Sequence, residues 1–488
     1  MALDSWLTKV RSAISSSLDS VRSTMADGTA AGRQRKSSVG ILAFEVASLM
    51  SKLLHLWRSL SDAHLCRLRL EYIALPGVRR IVSDDDAFLL GLACAETAES
   101  LRLAVESVSA MAERCSDPGL RRFGRCFKEF AESGSDPHRW AMSWKEMDAK
   151  VKRMDRYVSA TAALYKEMEQ LSETEHALRK LAHCSISGSG DHSQLSMAKM
   201  SAVSDLQQKL FWQKQEVKYL KEMSVWGRSF DAVTALLARS SFTVLSRIRY
   251  VFGLVDAFPS PALLASPLPR SLSLSAAVHP SSDMSPESLD LKSGPLVPAT
   301  KQQELGFFEA NTAALRPPPG TLGAAALSLH YANLVLLIEK MVRSPRSVGS
   351  DARDDLYAML PASVRALLRA RLRGVGRCAA GDAVLAKDWR AALAQIVEWL
   401  APLAHNTVRW QAERSFEQRR SAAAPRANVL LLQTLCFASR QKTEAAIVEL
   451  LVGLNYVWRF EIEMMRARAA ALGAAASAAA DQQCHLHG

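Results

Sequence analysis

Apolar residues recur along this chain at steps of three and four. From Val39 onward, Ile41, Phe44, Leu49, Leu56 and Leu60 follow the spacing of a core-facing helix. Trp144, Met147, Val151, Met154 and Val158 keep alternating steps of three and four. So do Val203, Leu206, Leu210, Val217 and Leu220, with Gln213 filling one seam position. The Gly/Ser stretch at 185–193 separates the two runs, which predicts a long antiparallel helical hairpin. Further on, Leu327, Tyr331, Leu334, Leu337, Ile338 and Met341 mark a helix over 321–342, with Thr321 as its N-cap after a Pro-Pro-Pro-Gly stop. A second helix starts at Pro361, a third spans 382–410 and a final one 428–468. No alternating strand pattern is present, so the fold class is all-α.

Turn chemistry supplies the boundaries. Leu75-Pro76-Gly77 is a turn signal. Ser83 before Asp84, Asp85 and Asp86 reads as a capped helix start with acids in the first turn; a metal site is the weaker reading of these aspartates, for want of a second ligand cluster. Asp117-Pro118-Gly119 and Ser135-Asp136-Pro137 each open a helix. Residues 253–319 are dominated by Pro, Ser and Leu and cannot bury enough surface to fold. The predicted organisation is an amphipathic helix and linker at 1–37, a helical domain at 38–252, a disordered linker at 253–319, a second helical domain at 320–468 and an Ala-rich disordered tail at 469–488. The first segment carries one apolar stripe, through Leu3, Trp6, Leu7, Val10, Ile14, Leu18 and Val21. Packing onto the following domain is preferred for it over lying on a membrane.

Composition narrows the function classes. The chain has 488 residues, 49% of them hydrophobic, and a net charge of +12. That is enough apolar material for real cores, and the basic balance favours acidic partners. The excess is steepest over 361–440, where thirteen Lys and Arg stand against five Asp and Glu. Eight cysteines, at 66, 94, 115, 126, 184, 378, 436 and 484, include no C-x-x-C pair and read as buried thiols in a reducing compartment. No secretory signal and no membrane span are expected; the longest uncharged segment, 317–338, is too polar.

Motifs for catalysis are missing. Gly374-Val-Gly376-Arg-Cys-Ala379 matches a dinucleotide fingerprint formally, but it follows a basic helical run and not a strand; a helix-ending glycine loop is the preferred reading. There is no G-x-x-x-x-G-K, G-x-S-x-G or H-E-x-x-H. Cys484, His485 and His487 fall in the expected disordered tail. The basic surface lacks a helix-turn-helix or zinc signature, so nucleic acid is not an expected partner. The basic run 32–38 ends in Ser37 and Ser38, candidate phosphorylation sites, as is Ser344 before Pro345.

Two blocks of sequence, opening with VGILAFEVASLMSKLLHLWRSLSD at 39–62 and TLGAAALSLHYANLVLLIEKMV at 321–342, resemble the plant phytosulfokine-simulator family of growth regulators. VGILAFEVASLMSKLLHLWRSLSD, at 39–62, resembles the opening helix of its N-terminal domain of unknown function. TLGAAALSLHYANLVLLIEKMV, ARDDLYAMLPASVRALLRARLR, WLAPLAHNTVRWQAERSF and KTEAAIVELLVGLNYVW resemble its second domain, in the family order. Interaction candidates in these blocks are Phe44 and Glu45 in the first, and His330, Tyr331, Asn333 and Leu334 at the start of the second. Asp355, Leu360, Pro361, Trp399, Asn406, Lys442 and Glu444 complete the set. The face through Leu334 is expected to be core, with His330 and Asn333 making polar contacts beside it.

The resemblance implies a non-catalytic regulator or scaffold that promotes plant growth, with a role in peptide-hormone responses. It implies no enzymatic activity; no cofactor or metal is expected, and no small-molecule substrate is identified. Partners are expected to be proteins, with an anionic membrane surface as the alternative through the basic N-terminus. The expected place is the nucleus or cytoplasm, or the periphery of the plasma membrane. Some relatives begin Met-Gly and are candidates for myristoylation; this chain begins Met-Ala-Leu and resembles the non-acylated branch.

Overall fold

The computed structural model describes residues 38–186, 193–253, 306–344, 349–375, 382–417 and 429–485. The N-terminal stripe, its basic run with Ser37, and most of the expected linker lie outside them. Among the described residues the architecture is all-α, and β-type pairing is confined to isolated bridges such as the antiparallel one between Thr321 and Ser439. The helices are α1 (Ala43–Ser59), α2 (Asp62–Arg67), α3 (Asp86–Ala112), α4 (Pro118–Arg121), α5 (Phe123–Ser133), α6 (Trp144–Ile186), α7 (Ser193–Met223) and α8 (Phe230–Val251). After residue 305 come α9 (Phe307–Ala314), α10 (Ser328–Arg343), α11 (Ser350–Met359), α12 (Ala362–Val375), α13 (Ala383–Glu417) and α14 (Arg440–His485). The described residues from Val39 onward cluster as one compact unit.

The first core lies among α1, α3, α5, α6 and α8. Met50, Leu53, Leu101, Phe123, Met147, Met154, Leu237 and Phe242 are buried in it. Phe242 stacks on Trp140 at 5.5 Å between ring centres and lies 4.9 Å from Phe130, so one ring organises three elements. By length and composition one described helix, Gly40–Ser59, could cross a membrane. Its apolar face, Val46, Leu49, Met50, Leu53 and Leu54, is instead buried in this core.

The hairpin forms as the spacing predicts. Lys214 pairs with Glu175 at 3.4 Å, and the Val225 amide donates to Thr161 Oγ1, so α6 and α7 run antiparallel. Val217 and Gln213 are buried on the seam, and Gln213 Oε1 has no hydrogen-bond partner among the described atoms.

The second core joins α10 to α12, α13 and α14 through Tyr331, Leu334, Ile338, Val364, Leu400, Leu403, Ile447 and Leu450. A third apolar cluster bridges the two blocks: Leu68, Ile73, Val78, Leu89 and Leu92 meet Leu431, Leu432 and Phe437. Polar ties reinforce it. The Ser439 amide donates to Ile81 O at 2.7 Å, and the Leu431 amide to Glu96 Oε2 at 2.8 Å.

Several boundaries differ from expectation, each for a tertiary reason. Thr321 is not the N-cap of a helix. The amides of Leu322 and Gly323 donate to Ala438 O and Cys436 O, and that of Arg440 to Gly320 O. This pairing with the 436–440 strand-like segment holds 321–327 out of helical geometry, and α10 starts at Ser328. Residues 306–319, expected as linker, include α9, whose Phe308 stacks on Phe127 and whose Thr312 hydroxyl donates to Glu99. The two phenylalanines give this short piece enough apolar surface to dock. Asp136 opens no helix; its carboxylate accepts from the Trp140 and Ala141 amides and forms a turn. The helix start at 83–86 is capped by Asp85, with the Ser83 hydroxyl accepting from the Asp85 amide, and Asp86 pairs with Arg79. These acids serve the backbone and one arginine. The last helix begins at Arg440 and not at 428, because 429–439 must reach both the third cluster and the Thr321 bridge. It also continues through the Ala-rich stretch to His485, consistent with alanine's high helix propensity. Cys484 and His485, expected beyond ordered structure, fall on this helix.

Candidate functional site

The signature residues converge where α10, α12 and α14 meet. Tyr331 is fully buried, and its hydroxyl donates to Glu444 Oε1 at 2.6 Å. The Ser363 hydroxyl donates to the same oxygen at 2.8 Å, as does Arg440 Nε, also at 2.8 Å. Arg440 Nη2 further donates to Ser363 Oγ at 3.3 Å. Local sequence places each group: Arg440 and Glu444 are four apart at the start of α14 and share a face. Ser363 sits in the first turn of α12, just after Leu360 and Pro361 break the chain between α11 and α12.

Burial pushes the Glu444 carboxyl up, but the hydrogen bonds from Tyr331, Arg440 and Ser363 outweigh it and hold the group below its ordinary value. Burial, and then the adjacent Glu444 carboxylate, drives the Tyr331 phenol well above its ordinary range. The carboxylate is thus ionised and accepts from three donors at one oxygen. Among the described residues, no histidine hydrogen-bonds to this cluster. Chemically the cluster is a polar knot that pins three helices at one point.

A cleft of about 630 Å³ opens beside it, lined by Val82 and Phe88 from the N-terminal block and by Pro318, Thr321, Phe437 and Arg440 from the C-terminal one. A second, apolar groove of about 160 Å³ lies between α11, α12 and α14, with Arg353 stacked 3.7 Å above the Trp458 ring. Among the described residues, no group of three or more His, Cys, Asp or Glu could hold a metal.

The other interaction candidates disperse. His330 lies 2.9 Å from Met359 O through Nε2, joining α10 to the end of α11, while Asn333 is exposed. Leu334 and Leu360 are core. Asp355 and Lys442 are exposed and Pro361 half-buried. The Asn406 amide donates to Gln433 O at 3.3 Å. Phe44 packs edge-on to Tyr165 and Trp226, whereas Glu45 faces solvent. Trp399 stands at the junction of the two blocks: Arg80 lies over its ring at 5.3 Å, and Gly77 packs on its backbone. Ser38 and Ser344 are exposed. Ser363 and Arg440 were absent from the candidates; the Arg440–Glu444 spacing was a usable signal, but nothing local points to Ser363.

A second buried carboxylate ties α10 to α13. Glu339 accepts from Arg343 at 2.7 Å and lies 2.8 Å from His405 Nε2.

The Glu444 knot makes a pH-dependent contribution. Because its carboxyl is held below the ordinary 4.5, its stabilisation is complete above that pH and is lost as pH falls through the lowered value. Glu444→Gln is expected to cost about 1–3 kcal/mol at neutral pH. Urea unfolding of both proteins across the acid range checks this: the difference should shrink as pH falls below the ordinary 4.5. A difference that stays constant with pH counts against the assignment.

Comparison with known proteins agrees with these blocks. The family model "Domain of unknown function (DUF3475)" matches residues 41–97, and "Protein of unknown function (DUF668)" matches 321–409. Tyr331, Ser363 and Trp399 lie within the second match, whereas Arg440 and Glu444 lie beyond it. Gly77 and Arg80 lie within the first, so the two matched regions touch directly. From Arabidopsis thaliana, Protein PSK SIMULATOR 1 is 25% identical over 86% of this chain and 56% of its own length. Protein PSK SIMULATOR 3 is 25% identical over 90% of the chain and 60% of its own. Protein PSK SIMULATOR 2 is 26% identical over 86% and 60%. The chain therefore spans little more than half the length of these relatives. No solved structure matches it. The chain is similar to the PSK SIMULATOR proteins and matches both models of domains of unknown function, in the order its sequence resemblance implies.

Proposed function

We propose that this protein is a non-catalytic regulator that promotes plant growth, acting as a scaffold in responses to the phytosulfokine peptide. The observation that carries the reading is the similarity along 86–90% of the chain to three proteins named as PSK simulators. The polar knot supports it from the chemical side. Its carboxylate is occupied by three donors, so this buried ionisable cluster positions helices. The nucleus or cytoplasm is the proposed place of action.

Plants lacking this protein and its close paralogues test the reading. Reduced growth and a weakened response to added phytosulfokine are expected. Normal growth with a full peptide response removes the proposal.

A further inference from the structure

The apolar groove between α11, α12 and α14 is walled by Met341, Leu356, Leu368, Leu372, Leu451 and Trp458. A cavity of about 150 Å³ holds a benzene ring, whereas sites that enclose a whole ligand run to roughly 300–1,000 Å³. At about 160 Å³, this groove takes a single large side chain. Its rim is basic. Arg353 stacks on Trp458, its Nε donates to Gly349 O at 3.4 Å, and its two terminal nitrogens have no partner among the described residues. At Tyr357, which also lines the groove, Arg369 donates to the hydroxyl at 2.7 Å and Arg365 lies over the ring at 5.9 Å. Arg365 Nε is buried without a hydrogen-bond partner among the described atoms. None of these three arginines forms an ion pair among the described residues.

The acids nearby do not offset them. Glu449 pairs with Arg371, and Glu461 with Arg390. Glu463 lies more than a turn past Trp458. On α11, Asp351 and Asp355 lie across the helix from Arg353, Leu356 and Leu360, and Asp354 sits at the edge beyond Tyr357. Helix α12 carries four arginines and no acid.

We propose that the groove seats one phenylalanine or leucine of an acidic segment of a partner protein, with carboxylates beside that anchor reaching Arg353 and Arg369. The walls suit an apolar side chain, and the volume suits one of them. A guanidinium laid flat on an aromatic ring keeps its outer edge open, the geometry that takes a carboxylate through two parallel hydrogen bonds. A basic segment would meet three uncompensated arginines and be repelled. One buried anchor with charged contacts at the rim gives a modest, salt-sensitive affinity. The pairing concerns the groove alone and holds whether or not the protein acts in peptide-hormone responses.

Fluorescence anisotropy of the intact protein with a fluorescein-labelled peptide, Glu-Asp-Glu-Phe-Glu-Asp-Glu, tests this. Binding with a Kd on the order of 10 µM at low salt is expected. Alanine in place of the central phenylalanine should weaken it at least about tenfold, and so should glutamine and asparagine in place of the acids. Two variants probe the protein side: Arg353→Gln with Arg369→Gln removes the rim charge, and Leu372→Trp fills the groove. Each should weaken binding about tenfold while the helical circular-dichroism spectrum stays unchanged. A peptide with benzoylphenylalanine at the anchor locates the site without any variant: its photo-crosslinks should fall in α11, α12 or residues 451–458 of α14. No binding by the parent peptide overturns the proposal. So does binding equally tight with alanine at the anchor, binding indifferent to folded variants, or crosslinks confined to other helices.

Discussion

Leu334→Ala should destabilise the protein by about 2–5 kcal/mol, measured as the shift in urea unfolding. Leu334 is fully buried in the second core, between Tyr331 and Ile338 on the same helix face and against α13 and α14. Removing three carbon groups there loses their transfer free energy and leaves a cavity that the rigid α10–α13 contact closes only in part. His330→Ala should cost less, since it removes one contact with the Met359 carbonyl at the edge of the core. If Leu334→Ala left stability intact while abolishing capture of a partner, the face would be a docking surface and the core assignment wrong.

Gly77→Ala should be nearly as damaging, by a different route. The backbone φ of −67° is open to any residue, so the requirement is space and not conformation. A Cβ at this position would come 2.3 Å from Trp399 O and 2.5 Å from Leu403 Cδ1. A leucine tip can move aside, but the carbonyl belongs to the backbone of α13. The added methyl must therefore push the 77–82 segment away from α13, and overpacking of this kind costs about 1–3 kcal/mol. The loss should concentrate at the junction of the two matched regions, where Ile81 O accepts from Ser439 and Arg80 lies over Trp399. Limited proteolysis of the variant should cut faster between the blocks than in the parent, together with a lower melting temperature. Equal proteolysis rates and an equal melting temperature would show that the junction is looser than this geometry.

Much of the helical content was legible because it rests on local periodicity. The steps of three and four through Met147 and Met154, and through Leu206 and Val217, produce α6 and α7 with the seam on the expected side, down to the buried Gln213. The core face of α10 was legible for the same reason: Tyr331, Leu334, Ile338 and Met341 all lie inside. Capping at Asp117 before Pro118 followed from its turn chemistry. The candidate site was legible only in part. Tyr331 and Glu444 were singled out through resemblance, but their meeting at 2.6 Å joins residues 113 apart, which no local pattern encodes. Ser363 escaped notice because an exposed-looking serine at a helix start has many ordinary uses.

The misplaced starts of α10 and α14 share one physical cause. Locally, Thr321 after Pro-Pro-Pro-Gly is an adequate cap, and the stretch from Asn428 is adequate helix. Across the chain, the 320–323 and 436–440 segments satisfy each other's backbone groups through three hydrogen bonds. Buried backbone groups must be paired somewhere, and this long-range solution prevails over local propensity. The chain by itself thus determined where the long helices run and which of their faces are apolar, since both depend on neighbours within two turns. Only the tertiary structure decided where two of those helices begin, that Phe307 and Phe308 dock, and that Gly77 meets Trp399. It also decided that one oxygen of Glu444 gathers Tyr331, Ser363 and Arg440. Each of these depends on surfaces that come together only after distant segments have packed.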